Sequence, residues 1–154
     1  MIVTPSTTSI VENLDVNPGY QLWLATHALQ RTLNRGLDSL RLTFVQFFVL
    51  DAVSRLAVEH ESVSQAQVCR FCSMDPNMIS QVARTLEKKG LLVRADNPSD
   101  RRAYVLTLTA VGEILIIAAR EKVKPLVESF FAPVGERQLE LTDILREVMA
   151  AAEV

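Results

Sequence analysis

One segment near the middle of the chain declares both its ends and both its faces. At Asp75-Pro76 a carboxylate can accept free backbone N–H groups, and proline follows at the first helical position, where its missing N–H costs nothing. Gly90 supplies the left-handed residue that closes such a helix after Lys89. Ile79, Val82, Ala83 and Leu86 recur at helical spacing and make an inner, apolar face. Asn77, Ser80, Gln81, Arg84 and Lys88 make an outer face with no acid among them. A helix divided in this way packs on a core with one side and meets a polar surface with the other.

The flanking segments carry similar punctuation. A first helix starts at Pro18, with Leu22, Trp23, Leu29 and Leu33 at three- and four-residue steps until Gly36 weakens it. Thr43 and Gln46 form a capping box ahead of Phe44, Phe47, Phe48, Val49, Leu50 and Val53, a second helix with a wide apolar face. Ser64 and Gln67 repeat that spacing for a short third helix, which ends near Cys72 to Met74; Asp75 then opens the fourth. Two β-rich runs follow, 91–95 and 104–108, joined by turn-forming residues 96–103, which predicts a hairpin with a long tip. Thr109 caps a fifth helix carrying Ile114, Leu115, Ala118 and Val123, in which Pro125 is expected to introduce a kink or a restart. Pro133 and Gly135 break the chain before a sixth, amphipathic helix over 137–152. The start, to about Asp15, lacks periodicity and reads as a loose arm. The fold class is mainly α, with six helices and one two-stranded sheet.

Composition narrows the setting. A chain of 154 residues, 49% hydrophobic and 22% charged, suits one globular domain over 1–154. Its longest near-apolar stretch, 111–119, is interrupted by Glu113 and is too short for a membrane span. No basic-then-apolar opening suggests secretion, and two cysteines cannot make a disulfide framework, so a reducing cytoplasm is expected. The net charge of −2 is unevenly spread. From Arg84 to Arg102 there are six basic and three acidic residues, a local +3 that leaves −5 elsewhere. A basic patch on an acidic body is the electrostatic footprint of a nucleic-acid binder.

Two short capped helices with a tight link, followed by a hairpin with a basic tip, make a winged helix-turn-helix. The start of the third helix, at Ser64 and Gln65, can offer backbone N–H groups to a phosphate. The fourth helix can lie in the major groove, and an arginine at the hairpin tip can enter the adjacent minor groove.

The stretch Asp100-Arg101-Arg102-Ala103-Tyr104-Val105-Leu106-Thr107-Leu108-Thr109 resembles the D-x-R-x-x-x-x-x-L-T wing signature of the multiple-antibiotic-resistance regulator (MarR) family. Leu86-Glu87-Lys88-Lys89-Gly90-Leu91 is similar to that family's recognition-helix exit, and Leu42-Thr43-x-x-Gln46 to its second-helix start. The likeness runs from about Pro18 to Ala152. It implies a homodimer joined through 18–37 and 110–152, with 43–109 as the DNA-binding lobe on half a palindrome. It further implies that Arg102 is the minor-groove arginine, held by Asp100, and that Asn77, Met78, Ser80, Gln81, Arg84 and Lys88 lie along the recognition helix with Arg101 on the wing. Asn77 and Met78 stand where the family commonly has small hydroxyl residues, which leaves the operator sequence open. The function implied is a transcription regulator, most simply a repressor relieved by a small-molecule or stress signal.

Other chemistries are weaker. Cys69 and Cys72 have C-x-x-C spacing, but they share the inward face of the third helix with Val68, where cysteine acts as a small hydrophobe. Two thiols alone do not make a zinc site, and neither His27 nor His60 stands at ligand spacing from a cysteine or carboxylate, so no metal and no cofactor is expected. Trp23, His27 and Phe47 are the candidates for binding a small aromatic effector, His27 standing one turn after Trp23. No nucleophile–base motif or glycine-rich phosphate loop is present, so the chain reads as a non-enzyme. The alternative reading is a winged-helix protein-interaction module without DNA binding.

Overall fold

The computed structural model describes residues 13–98 and 100–152, with Asp100, Arg101 and Arg102 described by backbone alone. Six α-helices and a two-stranded antiparallel sheet follow in the order expected: α1 (Pro18–Leu37), α2 (Phe44–Glu59), α3 (Gln65–Cys72), α4 (Pro76–Lys88), β1 (Leu92–Asn97), β2 (Asp100–Leu108), α5 (Ala110–Phe131) and α6 (Gln138–Ala152). The expected arm falls largely on residues 1–12, outside the described residues; at its end Leu14–Val16 form a 3-10 turn capped by Asn13.

Each helix start is built by the side chain that announces it. Thr43 Oγ1 accepts from Gln46 N at 3.2 Å while Gln46 Oε1 accepts from Thr43 N at 3.3 Å. Ser64 and Gln67 repeat the arrangement on α3. Asp75 Oδ1 accepts from Asn77 N at 2.8 Å and Met78 N at 3.3 Å, with Pro76 in the first turn of α4. Thr109 caps α5 through Gly112 N. Ser73 (φ 50°) closes α3, and Gly90 (φ 70°) follows α4.

Two expectations are corrected, the first of them in part. α5 runs as one helix to Phe131 with Pro125 inside it, so of the kink or restart expected there the restart does not occur. Glu121, whose carbonyl would have received the missing N–H, sits like Pro125 on an exposed turn, where water can serve that carbonyl. α1 ends at Leu37, one residue past Gly36, as expected; a Cβ at Gly36 would overlap the Leu126 side chain, so glycine also lets α1 and α5 approach closely. The hairpin tip is short: pairing runs from Leu92↔Leu108 to Asp96↔Tyr104 and resumes at Asn97↔Asp100 after a bulge. Residues 96–103 thus belong mostly to strand, because the bulge absorbs the extra residues that a long turn was expected to hold.

The core lies beneath the α2–α4 unit. Leu37, Leu50, Val53, Val68, Ile79, Ala83, Leu86, Leu92, Leu106 and Ile116 are buried in one cluster. A bridge between Ser64 and Val105, with Leu106 N donating to Val63 O at 2.8 Å, ties the wing to the start of α3. By contrast, α6 has no buried residue and α1 buries only Leu33 and Leu37. No helix among the described residues is long and apolar enough to cross a membrane.

Candidate nucleic-acid interface

α4 stands as its sequence pattern requires. Ile79, Ala83 and Leu86 are buried, while Asn77, Gln81, Arg84 and Lys88 are exposed and Ser80 is half-buried. Met78, 47% exposed, adds one apolar side chain beside Asn77. Such a side chain can meet a thymine methyl but makes no hydrogen bond. Glu87 is turned out of this row toward the wing: its Oε1 accepts from Arg94 N at 3.2 Å. The polar face therefore keeps no carboxylate to repel a phosphate.

At the start of α3, Ser64 Oγ donates to Gln67 Oε1 at 2.8 Å and accepts from Gln67 N at 3.2 Å. The hydroxyl is spent in the cap. Gln65 Oε1 is buried with no hydrogen-bond partner among the described residues. It borders a crevice of about 360 Å³ lined also by Arg70, Pro76 and Tyr104, between α3, the start of α4 and the wing. Asp100 pairs with Asn97, and Arg101 and Arg102 lie in β2 within the bulge between that rung and Tyr104; the side chains of all three lie outside the described part of the structure.

The basic segment is not uniformly on the surface. The Arg94 side chain is only 9% exposed, and its guanidinium lies 4.2 Å from the centre of the Tyr104 ring. Lys89 Nζ donates to Arg41 O at 2.6 Å and to Gln46 Oε1 at 2.8 Å, pinning the end of α4 to the start of α2. Strand alternation could have revealed Arg94, which shares a face with buried Leu92. No local signal could have revealed the role of Lys89, whose partners lie more than forty residues away.

The MarR family model matches residues 42–103, from just before α2 into the wing. An uncharacterised HTH-type transcriptional regulator, YdcH of Bacillus subtilis, is 36% identical over 124 residues, covering 80% of this chain and 84% of the relative. The chain belongs to the MarR family. It is a MarR family transcriptional regulator by these relationships. The repressor MdtR of the same bacterium is 27% identical, covering 81% of this chain and 79% of the relative. In fold the chain is similar to a cysteine-to-serine variant of MarR from E. coli complexed with operator DNA, with a TM-score of 0.76 and 20% identity over 94% of this chain and 99% of that one.

The remaining candidates sit elsewhere on this MarR family scaffold. Cys69 and Cys72 are half-buried against the core. Burial pushes both thiols up, Cys72 to about 11, helped by the neighbouring Cys69 and by Asp51. Raised thiols are poor nucleophiles at neutral pH. The Trp23 and His27 rings meet edge-on at 4.4 Å, with Tyr20 stacked on Trp23 at 6.1 Å. Phe47 is buried in the core of α2. None of the three lines the crevice under the wing, or the cavity of about 420 Å³ between α2, β2 and α5. Sequence reading also missed a half-buried ionic link. Asp51 accepts from Arg55 Nε at 2.7 Å and from Arg120 Nε at 2.6 Å, and Arg120 donates to Ser54 Oγ at 2.9 Å, joining α2 to α5.

Proposed function

We propose that the chain is a cytoplasmic, homodimeric repressor without enzymatic activity, each subunit reading half of a palindromic operator. The observation that carries this reading is the exposed, acid-free row Asn77, Gln81, Arg84 and Lys88 on a helix held rigidly by Ile79, Ala83 and Leu86. A single helix fits the major groove, where an amide such as that of Asn77 or Gln81 can pair two-fold with adenine and an arginine with guanine. The wing beside it carries Arg102 toward the neighbouring minor groove, where Arg is drawn to a narrow, A·T-rich slot. Ser64 and Gln65 present the start of α3 to the phosphate backbone, with Met78, Ser80, Asp100 and Arg101 completing the contact surface.

Repression is supported by the name of MdtR and by the operator complex of E. coli MarR. Relief by a small aromatic effector is part of the same reading, with Trp23, His27 and Phe47 as its residues. Selection of bound sequences from a random DNA pool tests the reading. A palindrome with half-sites one helical turn apart is expected. A folded dimer that selects no sequence would put the interaction-module reading in its place.

A further inference from the structure

Arg94 is a buried cation in a segment whose other described cations, Arg84, Lys88 and Lys89, are exposed. Its side chain is nine-tenths buried, its guanidinium covers the Tyr104 ring at 4.2 Å, and its Nη1 lies 4.0 Å from Glu87 Oε2 on α4. Two of its donors, Nε and Nη2, are buried with no hydrogen-bond partner among the described residues. A half-satisfied guanidinium is a poor way to stabilise a fold, since an apolar side chain of similar length packs as well without stranded donors.

The position explains what the arginine offers instead. Asp96↔Tyr104 is the last regular rung of the wing before the bulge. Beyond it lie Arg101 and Arg102, so the direction of the whole tip is set at that rung. Glu87 anchors the other side, its Oε1 receiving the Arg94 N–H from a helix whose next turn back bears Arg84. Planar stacking of a guanidinium on an aromatic face fixes an orientation that a flexible ammonium would not.

We propose that Arg94 is a positioning residue: sandwiched between Tyr104 and Glu87, it fixes the angle between the wing tip and the recognition helix, and so the offset between the minor-groove and major-groove positions that one subunit reads. The inference rests on the DNA-binding reading above.

The test is sequence selection from a random pool, with the salt dependence of operator affinity, on wild type, Tyr104→Leu, Tyr104→Phe, Arg94→Met and Arg94→Lys. Tyr104→Phe keeps the aromatic face and behaves as wild type. Tyr104→Leu removes no charge, yet it lowers operator affinity by roughly tenfold, erases the A·T preference beside each half-site and lowers the salt slope by about one per subunit. Arg94→Met matches it while leaving the thermal midpoint unchanged or higher, and Arg94→Lys does not restore the preference. In all of them the major-groove positions read by α4 persist. If Arg94→Met fails to fold, the two Tyr104 variants decide alone. Wild-type selection in Tyr104→Leu, or equal loss at the major-groove positions, would overturn the positioning role alone. Wild-type protein that selects no sequence would overturn the DNA-binding reading and this one with it.

Discussion

Gln81 and Arg102 differ in what they can offer a duplex, and the difference is measurable. Arg102→Ala removes a charge from the wing. It is expected to weaken binding to operator and to A·T-rich competitor together, by ~1–3 kcal/mol per site, and to lower the salt slope by about one unit per subunit. Gln81→Ala removes an exposed amide and no charge. The slope should stay where it is while preference relaxes at one or two positions of each half-site. Affinities across a salt series separate the two. The thiols give a second residue-level expectation. With Cys72 raised to about 11 and Cys69 raised in the same direction, both are protonated at neutral pH, so peroxide should leave operator affinity unchanged in wild type and in the double Cys→Ala protein alike. Peroxide release of DNA from wild type only would show the opposite. The pH consequence has a definite sign. An unfolded Cys72 ionises near 9.0 and the folded one near 11, so the unfolded state loses its proton first and stability falls as pH rises across that interval. Denaturant midpoints at pH 8 and pH 10 test this against Cys72→Ala.

At the scale of elements, helix ends obey local rules and helix contacts do not. Thr43, Ser64, Asp75 and Thr109 each cap the helix they announce, because a cap is a hydrogen bond between residues two or three apart. Two glycines inside helices show the other regime. Propensity alone favours alanine at both Gly36 and Gly112 by about 1 kcal/mol. Packing reverses that preference. A Cβ at Gly36 would overlap the movable end of the Leu126 side chain, whereas one at Gly112 would overlap the carbonyl oxygen of Leu91, which also accepts the Thr109 N–H at 3.1 Å. Gly112→Ala is therefore expected to destabilise by about 3 kcal/mol and Gly36→Ala by about 1 kcal/mol, since a side chain can rotate aside and a hydrogen-bonded backbone cannot. Urea denaturation of the two variants checks the order; Gly36→Ala as the more damaging change would contradict it.

For the molecule as a whole, the apolar surface left open is concentrated away from the DNA-facing row. Trp23 on α1 is 57% exposed, Ile114 on α5 is 71% exposed and Leu139 on α6 is 79% exposed, and Ile144, Val148 and Met149 join them. Helices this amphipathic with so little buried need a partner, and a second copy burying more than ~2,000 Å² would be of the size that obligate dimers reach. Light scattering is expected to give twice 17.2 kDa at micromolar concentration. A stable monomer would exclude the dimer. Ile144→Asp with Val148→Asp should separate the subunits and reduce operator affinity by at least ~100-fold, because two linked half-site contacts gain from each other what neither has alone.

Much of this protein was legible in its sequence. The order of six helices and a hairpin, the caps and the polar row of α4 depend on neighbours within about four residues, and local chemistry is what a sequence displays directly. The wing signature was legible through its resemblance to a family pattern over 100–109. Four features were settled only by the folded chain: the Asp51–Arg120 link, the lysine pinned across to Arg41 and Gln46, the close approaches at Gly36 and Gly112, and the burial of Arg94 against Tyr104. In each of these, except for the ten-residue reach between Arg94 and Tyr104, the partners stand twenty or more residues apart. Which side chains meet across such distances is decided by how the helices and wing pack, and no periodicity along the chain encodes that choice.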